Sequence, residues 1–246
     1  MLNKIKYLYL NFFRKYRFTP LFRRNDYYKN LPDHFTLHRL SKLYIDKNLI
    51  FIHIPKNGGT SISNNIYGNN ITLGHFKAHM IREFLGKKRF KNTEKFAIIR
   101  EPISKFLSAY NWLLVSDFNA DIKFRNEILN NYKNVSEFIS DLKNLKKKGL
   151  LAVHFLPQHE FVTDGFDRLI VKKLINFDHL KKFEKYISNF SEHPVVPYLN
   201  KNNKYTITYK DLSKNDIDYL QKFYKKDFKI MDSMFNEPNA DFNNLN

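Results

Sequence analysis

The stretch that decides the fold runs from Leu49 to Gly68 and reads LIFIHIPKNGGTSISNNIYG. Its first six residues are β-branched, aromatic or aliphatic apart from one histidine, a pattern typical of a buried strand. Pro55 ends this strand, and a loop with two adjacent glycines follows at once. Glycines allow a tight turn in which successive backbone N–H groups point at one anion. The stretch therefore predicts a strand, a glycine loop and a helix that together bind a phosphate or a sulfate.

The loop also supplies charge. Lys56 adds a positive charge and three hydrogen-bond donors. We expect Thr60 or Ser61 to cap a helix that begins near Ile62, whose positive dipole end favours an anion. A Walker A loop has its lysine after the glycines, so this loop is of another kind, and we expect anion binding without a metal. The residues predicted to bind the anion are therefore Lys56, Asn57, Gly58, Gly59, Thr60 and Ser61.

A second candidate anion site follows about 40 residues later in the chain. The residues from Lys95 to Arg100 are predicted to form a core strand, and a helix with an apolar face follows Pro102. Arg100 at the strand end can direct two donors onto one phosphate. Ser108, two turns into the helix, can add a hydroxyl group.

A histidine between the two sites is a candidate general base. His75 follows a glycine and precedes the predicted helix Ala78 to Leu85, so its side chain can point into a cleft. Imidazole has an unperturbed pKa near neutrality, which suits proton removal from a hydroxyl group. His79 lies in the same segment and is the alternative base.

The two anion motifs resemble, in the same order, those of sulfotransferases that use 3′-phosphoadenosine 5′-phosphosulfate (PAPS). The resemblance is closest to the carbohydrate branch, which includes heparan sulfate 2-O- and chondroitin 4-sulfotransferases and their bacterial relatives. IHIPKNGGTSI is similar to their 5′-phosphosulfate loop, with Asn57 where threonine is usual. Arg100, Pro102 and Ser108 match the 3′-phosphate motif, in which Lys105 replaces a second arginine.

This resemblance implies an α/β, P-loop-like nucleotide fold with a mainly parallel central sheet flanked by helices. It implies PAPS as sulfuryl donor, its bisphosphate PAP as product, no metal, and His75 and Lys56 as catalytic residues. A polar loop similar to the family's L-N-K-S segment makes Lys201 a further candidate for the 3′-phosphate. His154 and Gln158 lie in an H-x-x-P-Q segment, which in relatives lies near the acceptor, so we expect them to contact it.

The rest of the chain is predicted to complete one domain. Residues 1–45 form an N-terminal peripheral segment, 46–235 the sulfotransferase domain and 236–246 a C-terminal tail. Within the domain we expect a strand over Arg168 to Asn176 and helices over Phe177 to Phe190 and Asp216 to Met231.

Composition limits the partners and the compartment. The 246 residues contain no cysteine, which excludes disulfides and cysteine-bound zinc and fits a cytoplasmic protein. A formal net charge of +18 favours an anionic partner, although lysine is abundant throughout the chain and composition alone could produce it. The basic, aromatic N-terminal segment is either an interfacial helix at the inner face of the membrane or a helix packed on the domain.

Two other functions compete with sulfuryl transfer. A metal-dependent kinase would need an acidic pair near the loop, and none is evident in the sequence. A non-catalytic polyanion-binding protein would explain the charge but leave the two ordered motifs as coincidence. The Asn- and Lys-rich composition suggests a low-GC bacterium, so we expect a bacterial surface glycan as acceptor, either acidic or neutral, and no nucleic acid. The oligomeric state is not predictable from the sequence.

Overall fold

The centre of the protein is a sheet of three parallel strands, in a computed structural model that describes residues 40, 42–68, 73–191 and 206–236. The strands are β1 (Leu49–Ile52), β2 (Glu94–Ile99) and β3 (Lys173–Asn176), and β2 lies between the other two. Phe51 of β1 is in register with Phe96 of β2. Because the strands run parallel, their carboxyl ends meet at one edge, where sheets of this kind bind ligands.

Helices surround this sheet. In chain order they are α1 (Gly59–Tyr67), α2 (Ala78–Leu85), α3 (Lys87–Asn92), α4 (Pro102–Val115), α5 (Asn119–Glu127), α6 (Val135–Lys148), α7 (His159–Val162), α8 (Glu184–Ser188), α9 (Lys214–Phe223) and α10 (Lys225–Asn236). Residues 42–46 are also helical. Tighter helical turns span Leu129–Asn131, Val153–Phe155, Phe177–Phe183 and Tyr209–Asp211. The predicted α/β fold with a parallel sheet flanked by helices is confirmed.

Two apolar clusters fill the interior. One surrounds the sheet, where the rings of Phe51 and Phe96 stack with 4.9 Å between centroids. The other lies among α4, α6 and α9, and there the rings of Phe138 and Phe155 are 4.9 Å apart. Leu156 packs against both clusters. The segment around residues 153–159 therefore runs between the sheet layer and the helical layer.

Several predicted bounds were wrong. The strand expected from Arg168 begins only at Lys173, because Thr163 pairs with Leu169 across a turn in which Asp167 has a left-handed backbone, φ 59°. The helix expected over 177–190 is a tight turn that kinks at His179 and is followed by the short α8. The helix expected over 216–231 is two helices, since Tyr224 (φ −98°, ψ 20°) separates α9 from α10.

Some predictions fall outside the described residues. The N-terminal segment lies almost wholly there, as do Lys201 and nearly all of the C-terminal tail. Among the described residues no helix combines the length and apolarity that a membrane crossing requires.

Candidate active site

The loop after β1 has the backbone expected of an anion site. Lys56 (φ 67°) and Gly58 (φ 73°) both adopt left-handed conformations, so the chain turns sharply between β1 and α1. Helix α1 begins at Gly59, and no side chain caps its N-terminus. The prediction that Thr60 or Ser61 caps this helix was wrong, because both residues lie inside its first turn. An uncapped helix N-terminus leaves the positive end of the dipole available to an anion.

The two glycines are required for different reasons. A Cβ atom at Gly59 would lie 1.8 Å from Cδ2 of His53, so the imidazole of that residue packs directly on the loop backbone. A Cβ atom at Gly58 would lie 3.1 Å from Cε2 of Phe177, and its positive φ would strain any other residue. Thus Gly59 permits close approach, whereas Gly58 permits the turn.

Asn57 is buried and ties the loop to the neighbouring strand. Its Nδ2 donates to the carbonyl oxygen of Ile98 at 2.6 Å and to Oε1 of Gln158 at 2.7 Å. The predicted acceptor contact of Gln158 is corrected here: its side chain is 0% exposed, accepts from the backbone N–H of Arg100 at 3.0 Å and donates to the carbonyl of Arg100 at 2.7 Å. These bonds hold the side chain inside the protein, where none of its atoms is exposed to an acceptor.

Arg100 joins the two predicted anion sites. Its Nη1 donates to the carbonyl oxygen of Lys56 at 3.1 Å, and its guanidinium carbon lies 4.6 Å from the ring centroid of Phe177. Ser108 lies half-buried on α4, the helix that follows Arg100. Glu101 caps that helix, since its carboxylate accepts from the N–H groups of residues 103 and 104. In the Arg-Glu-Pro sequence, therefore, Glu101 and Pro102 begin the helix and only Arg100 remains a candidate for anion binding.

Lys105, which stands where relatives have a second arginine, is buried. Its ammonium donates to the carbonyl oxygens of His154 at 2.7 Å and Leu156 at 3.0 Å. Burial lowers the pKa of Lys105 to about 8. In this position the side chain organises the segment that carries His154 and Gln158.

The Lys56 ammonium lies over an aromatic ring. Its Nζ is 3.9 Å from the ring centroid of Trp112, whose Nε1–H donates to the carboxylate of Asp121 at 2.9 Å. Burial lowers the pKa of Lys56 to about 7, and the nearby charge of Arg100 acts in the same direction against the attraction of Asp121. A cation held in such surroundings gains from the arrival of an anion.

His75 has the tautomer that a general base needs. Its Nδ1 lies 3.2 Å from the carbonyl oxygen of His53. A carbonyl oxygen can only accept, so Nδ1 carries the proton and Nε2 keeps its lone pair. Burial, and after it the neighbouring His53 and His154, hold the pKa of His75 well below its ordinary value. The imidazole is therefore neutral at pH 7.

His154 lies beside this base and is oriented by a carboxylate. The rings of His75 and His154 are 5.9 Å apart, and Nε2 of His154 lies 3.2 Å from Oδ1 of Asp121. Burial lowers the pKa of His154, against the opposite effect of Asp121. His79, the alternative base, is instead hydrogen-bonded to the backbone of Thr163, and burial lowers its pKa.

Sequence reasoning missed three members of this site, namely His53, Trp112 and Asp121. His53 is at the end of β1, where a lone polar residue interrupts an apolar run, and that interruption was the available signal. Trp112 lies on α4 beyond the motif residue Ser108, and Asp121 lies on α5, whose sequence carries no motif. Across the described ranges, no three histidine or acidic side chains are grouped so as to hold a metal ion.

Comparison with known proteins identifies the family. Residues 45–232 match the model of the Sulfotransferase family, a span that contains the glycine loop, Arg100 and all three strands. No curated protein and no solved structure matches the chain significantly. The matched span covers most of the 246 residues, and the chain therefore belongs to the sulfotransferase family.

Proposed function

We propose that this protein transfers the sulfuryl group of PAPS to a hydroxyl group of a carbohydrate. Membership of the sulfotransferase family implies sulfuryl transfer, and the donor and acceptor are the proposed part. The observation that carries the proposal is the 3.1 Å hydrogen bond from Nη1 of Arg100 to the carbonyl of Lys56. It brings the arginine of the second motif to the glycine loop, so both can act on one doubly anionic nucleotide.

The residues present fit such a donor. The uncapped N-terminus of α1 and the half-buried ammonium of Lys56 would hold the 5′-phosphosulfate. Arg100 and Ser108 would hold the 3′-phosphate, and Lys201 stays a further candidate for it. When bound, PAPS supplies an activated sulfuryl group whose leaving group is a bisphosphate.

The chain's own groups then have separate tasks. His75 takes the proton of the acceptor hydroxyl at Nε2, the nitrogen that its bond to His53 leaves unprotonated. Lys56 and the loop N–H groups stabilise the negative charge that grows as transfer proceeds. Arg100 keeps the donor in line without taking part in bond exchange.

The proposed acceptor follows from one residue beside His75 and from the charge of the chain. His154 is 9% exposed and next to His75, so it is the remaining candidate for an acceptor contact. The net charge of +18 favours an acidic glycan over a neutral one. A bacterial surface glycan sulfated in the cytoplasm, near the inner face of the membrane, would suit these properties.

A thermal melt tests the donor. PAP should raise the melting temperature much more than AMP, because only PAP carries the 3′-phosphate that Arg100 and Ser108 would bind. EDTA should leave both shifts unchanged. Equal stabilisation by PAP and AMP would contradict the role given to Arg100, and stabilisation only by ATP with magnesium would favour a kinase. Heparin stabilisation without any PAP effect would favour a polyanion-binding protein.

A further inference from the structure

The buried side chain of Gln158 makes three hydrogen bonds, and all three connect parts of the active site. Its Oε1 accepts from Nδ2 of Asn57 at 2.7 Å and from the N–H of Arg100 at 3.0 Å. Its Nε2 donates to the carbonyl of Arg100 at 2.7 Å. One side chain thus bonds both the glycine loop, at Asn57, and the residue that follows β2, Arg100.

The backbone of Gln158 is held in place by a buried carboxylate. Asp227 on α10 is 0% exposed, and its carboxylate accepts from the backbone N–H of Gln158 at 2.7 Å and from that of His159 at 2.9 Å. It also lies 2.8 Å from Nδ1 of His159. Buried hydrogen bonds of this kind restrict the segment around Gln158 to one arrangement.

The bonds close into a ring that connects the two parts of the proposed donor site. Starting from Arg100, they pass through Gln158 to Asn57, and the adjacent residue Lys56 returns to Arg100 through its carbonyl oxygen. Arg100 and the glycine loop are also the two places that would hold the donor's anionic ends. If Arg100 is displaced, the hydrogen bonds through Gln158 and Asn57 displace the glycine loop as well. A displacement of the loop acts on Arg100 in the same way.

We propose that Gln158 is a positioning residue that, through Asn57, couples the binding of the donor's 3′-phosphate to the binding of its 5′-phosphosulfate. The inference rests on the proposed function, because it needs a ligand with both anionic groups. Its consequence is that the 3′-phosphate contributes more to affinity when the amide ring is intact than when it is broken.

The test is the ratio of the dissociation constants of AMP and PAP, measured by calorimetry for the wild type and for Gln158→Glu. An ionised glutamate can still accept from Asn57 and Arg100 but cannot donate to the carbonyl of Arg100. At pH 8 we expect the variant to bind PAP about tenfold more weakly and AMP about twofold more weakly. As the pH falls to 6, the buried glutamic acid becomes protonated and regains the donor, so its ratio should return toward the wild-type value.

Two further variants complete the design. Asn57→Ala breaks the ring at its other end, and combined with Gln158→Glu it should weaken PAP binding little more than the worse single change. It also carries the test alone if Gln158→Glu does not fold. Tyr67→Phe is the matched control, since it removes two buried hydrogen bonds, to Leu49 and Phe51, at the far end of β1. It should lower the melting temperature and leave the AMP to PAP ratio unchanged.

The outcomes separate the two proposals. If the wild type binds PAP but the ratio in Gln158→Glu and Asn57→Ala equals that in Tyr67→Phe, Gln158 is structural only and the coupling is refuted. The coupling is also refuted if the double variant loses PAP affinity by the product of the losses measured for Gln158→Glu and for Asn57→Ala. If the wild type does not bind PAP, the proposed function fails and the coupling fails with it.

Discussion

At the scale of single residues, the chemistry depends on which nitrogen of His75 carries a proton. The carbonyl of His53 fixes that proton on Nδ1, whereas a carboxylate faces the neighbouring imidazole of His154. Burial disfavours the charged form of both rings and lowers both pKa values. His75 is thus held neutral with Nε2 available, as the removal of a hydroxyl proton requires.

His75→Ala should therefore lower kcat by about 10²–10⁴-fold, the usual contribution of a general base. PAP binding should stay within about twofold, because the imidazole bonds to His53 and not to the anion loop. Steady-state kinetics and calorimetry would measure the two quantities. His79→Ala is the control and should change kcat little. The reverse result would move the base to His79.

Lys56 should make donor binding depend on pH. Burial lowers the pKa of the free ammonium to about 7, and a bound anion favours the charged form and raises that pKa. Binding above pH 7 therefore takes up a proton, and PAP affinity should fall with rising pH, by at most about tenfold per unit. Calorimetry in buffers of different ionisation enthalpy would count the proton.

Lys56→Met is the control for this dependence and should bind PAP weakly with a flatter pH profile. It should also be more stable than the wild type without ligand. The folded-state pKa lies below the unfolded value of 10.5, so the unfolded chain binds more protons between about pH 7 and that value. The stability gained by the variant should accordingly be greatest below pH 7 and vanish above 10.5. A pH-independent wild-type affinity would contradict the role of Lys56.

At the scale of elements, the sequence predicts what is local. The strand, glycine loop and helix of residues 49–68 follow from an apolar run and two glycines, and the second strand and its helix follow similarly. The functions of Gln158 and Asp121 were not predictable, because their partners are brought near only by tertiary packing. Gln158 bonds to a residue 101 positions away. The sequence around Gln158 would read the same whether its side chain contacted the glycan acceptor or made a buried hydrogen bond.

Gly59→Ala tests the contact between β1 and the loop. The added Cβ would lie 1.8 Å from the imidazole of His53, so either the loop or that ring must move. We expect the melting temperature and PAP affinity to fall together, and His53→Ala to restore part of both in the double variant. Gly165→Ala is the matched control, since open space surrounds that position. Unchanged PAP binding in Gly59→Ala would show that the close approach is dispensable.

At the scale of the whole molecule, some of the acidic side chains that would offset the positive charge lie in the interior. Three acidic side chains make internal bonds. Asp121 bonds Trp112, Ser116 and His154. Asp227 bonds the backbone of residues 158 and 159, and Glu160 pairs with two lysines. The chain as a whole has a formal net charge of +18, which produces a positive field around the protein. Such a field attracts anionic ligands and also repels itself, which destabilises the ligand-free fold.

Sulfate should stabilise the protein more than chloride at equal ionic strength, because chloride only screens repulsion whereas sulfate also fits the glycine loop. Thermal melts over a range of sulfate concentrations should show a component that saturates, above the general salting effect of sulfate. The double variant Lys56→Met, Arg100→Ala should lose the saturating component and keep the rest. Retention of that component would place the sulfate elsewhere.

The indole under Lys56 has a spectroscopic consequence. Trp112 is the only tryptophan of the chain, and the ammonium lies 3.9 Å from its ring centroid. Indole emission is sensitive to a nearby charge, so the fluorescence of this protein comes from one chromophore beside one functional lysine. Donor binding that draws Lys56 toward phosphate should shift the emission, and Lys56→Met should not respond. The native chain thus contains its own optical probe, and stopped-flow mixing could time the movement of this lysine without a label.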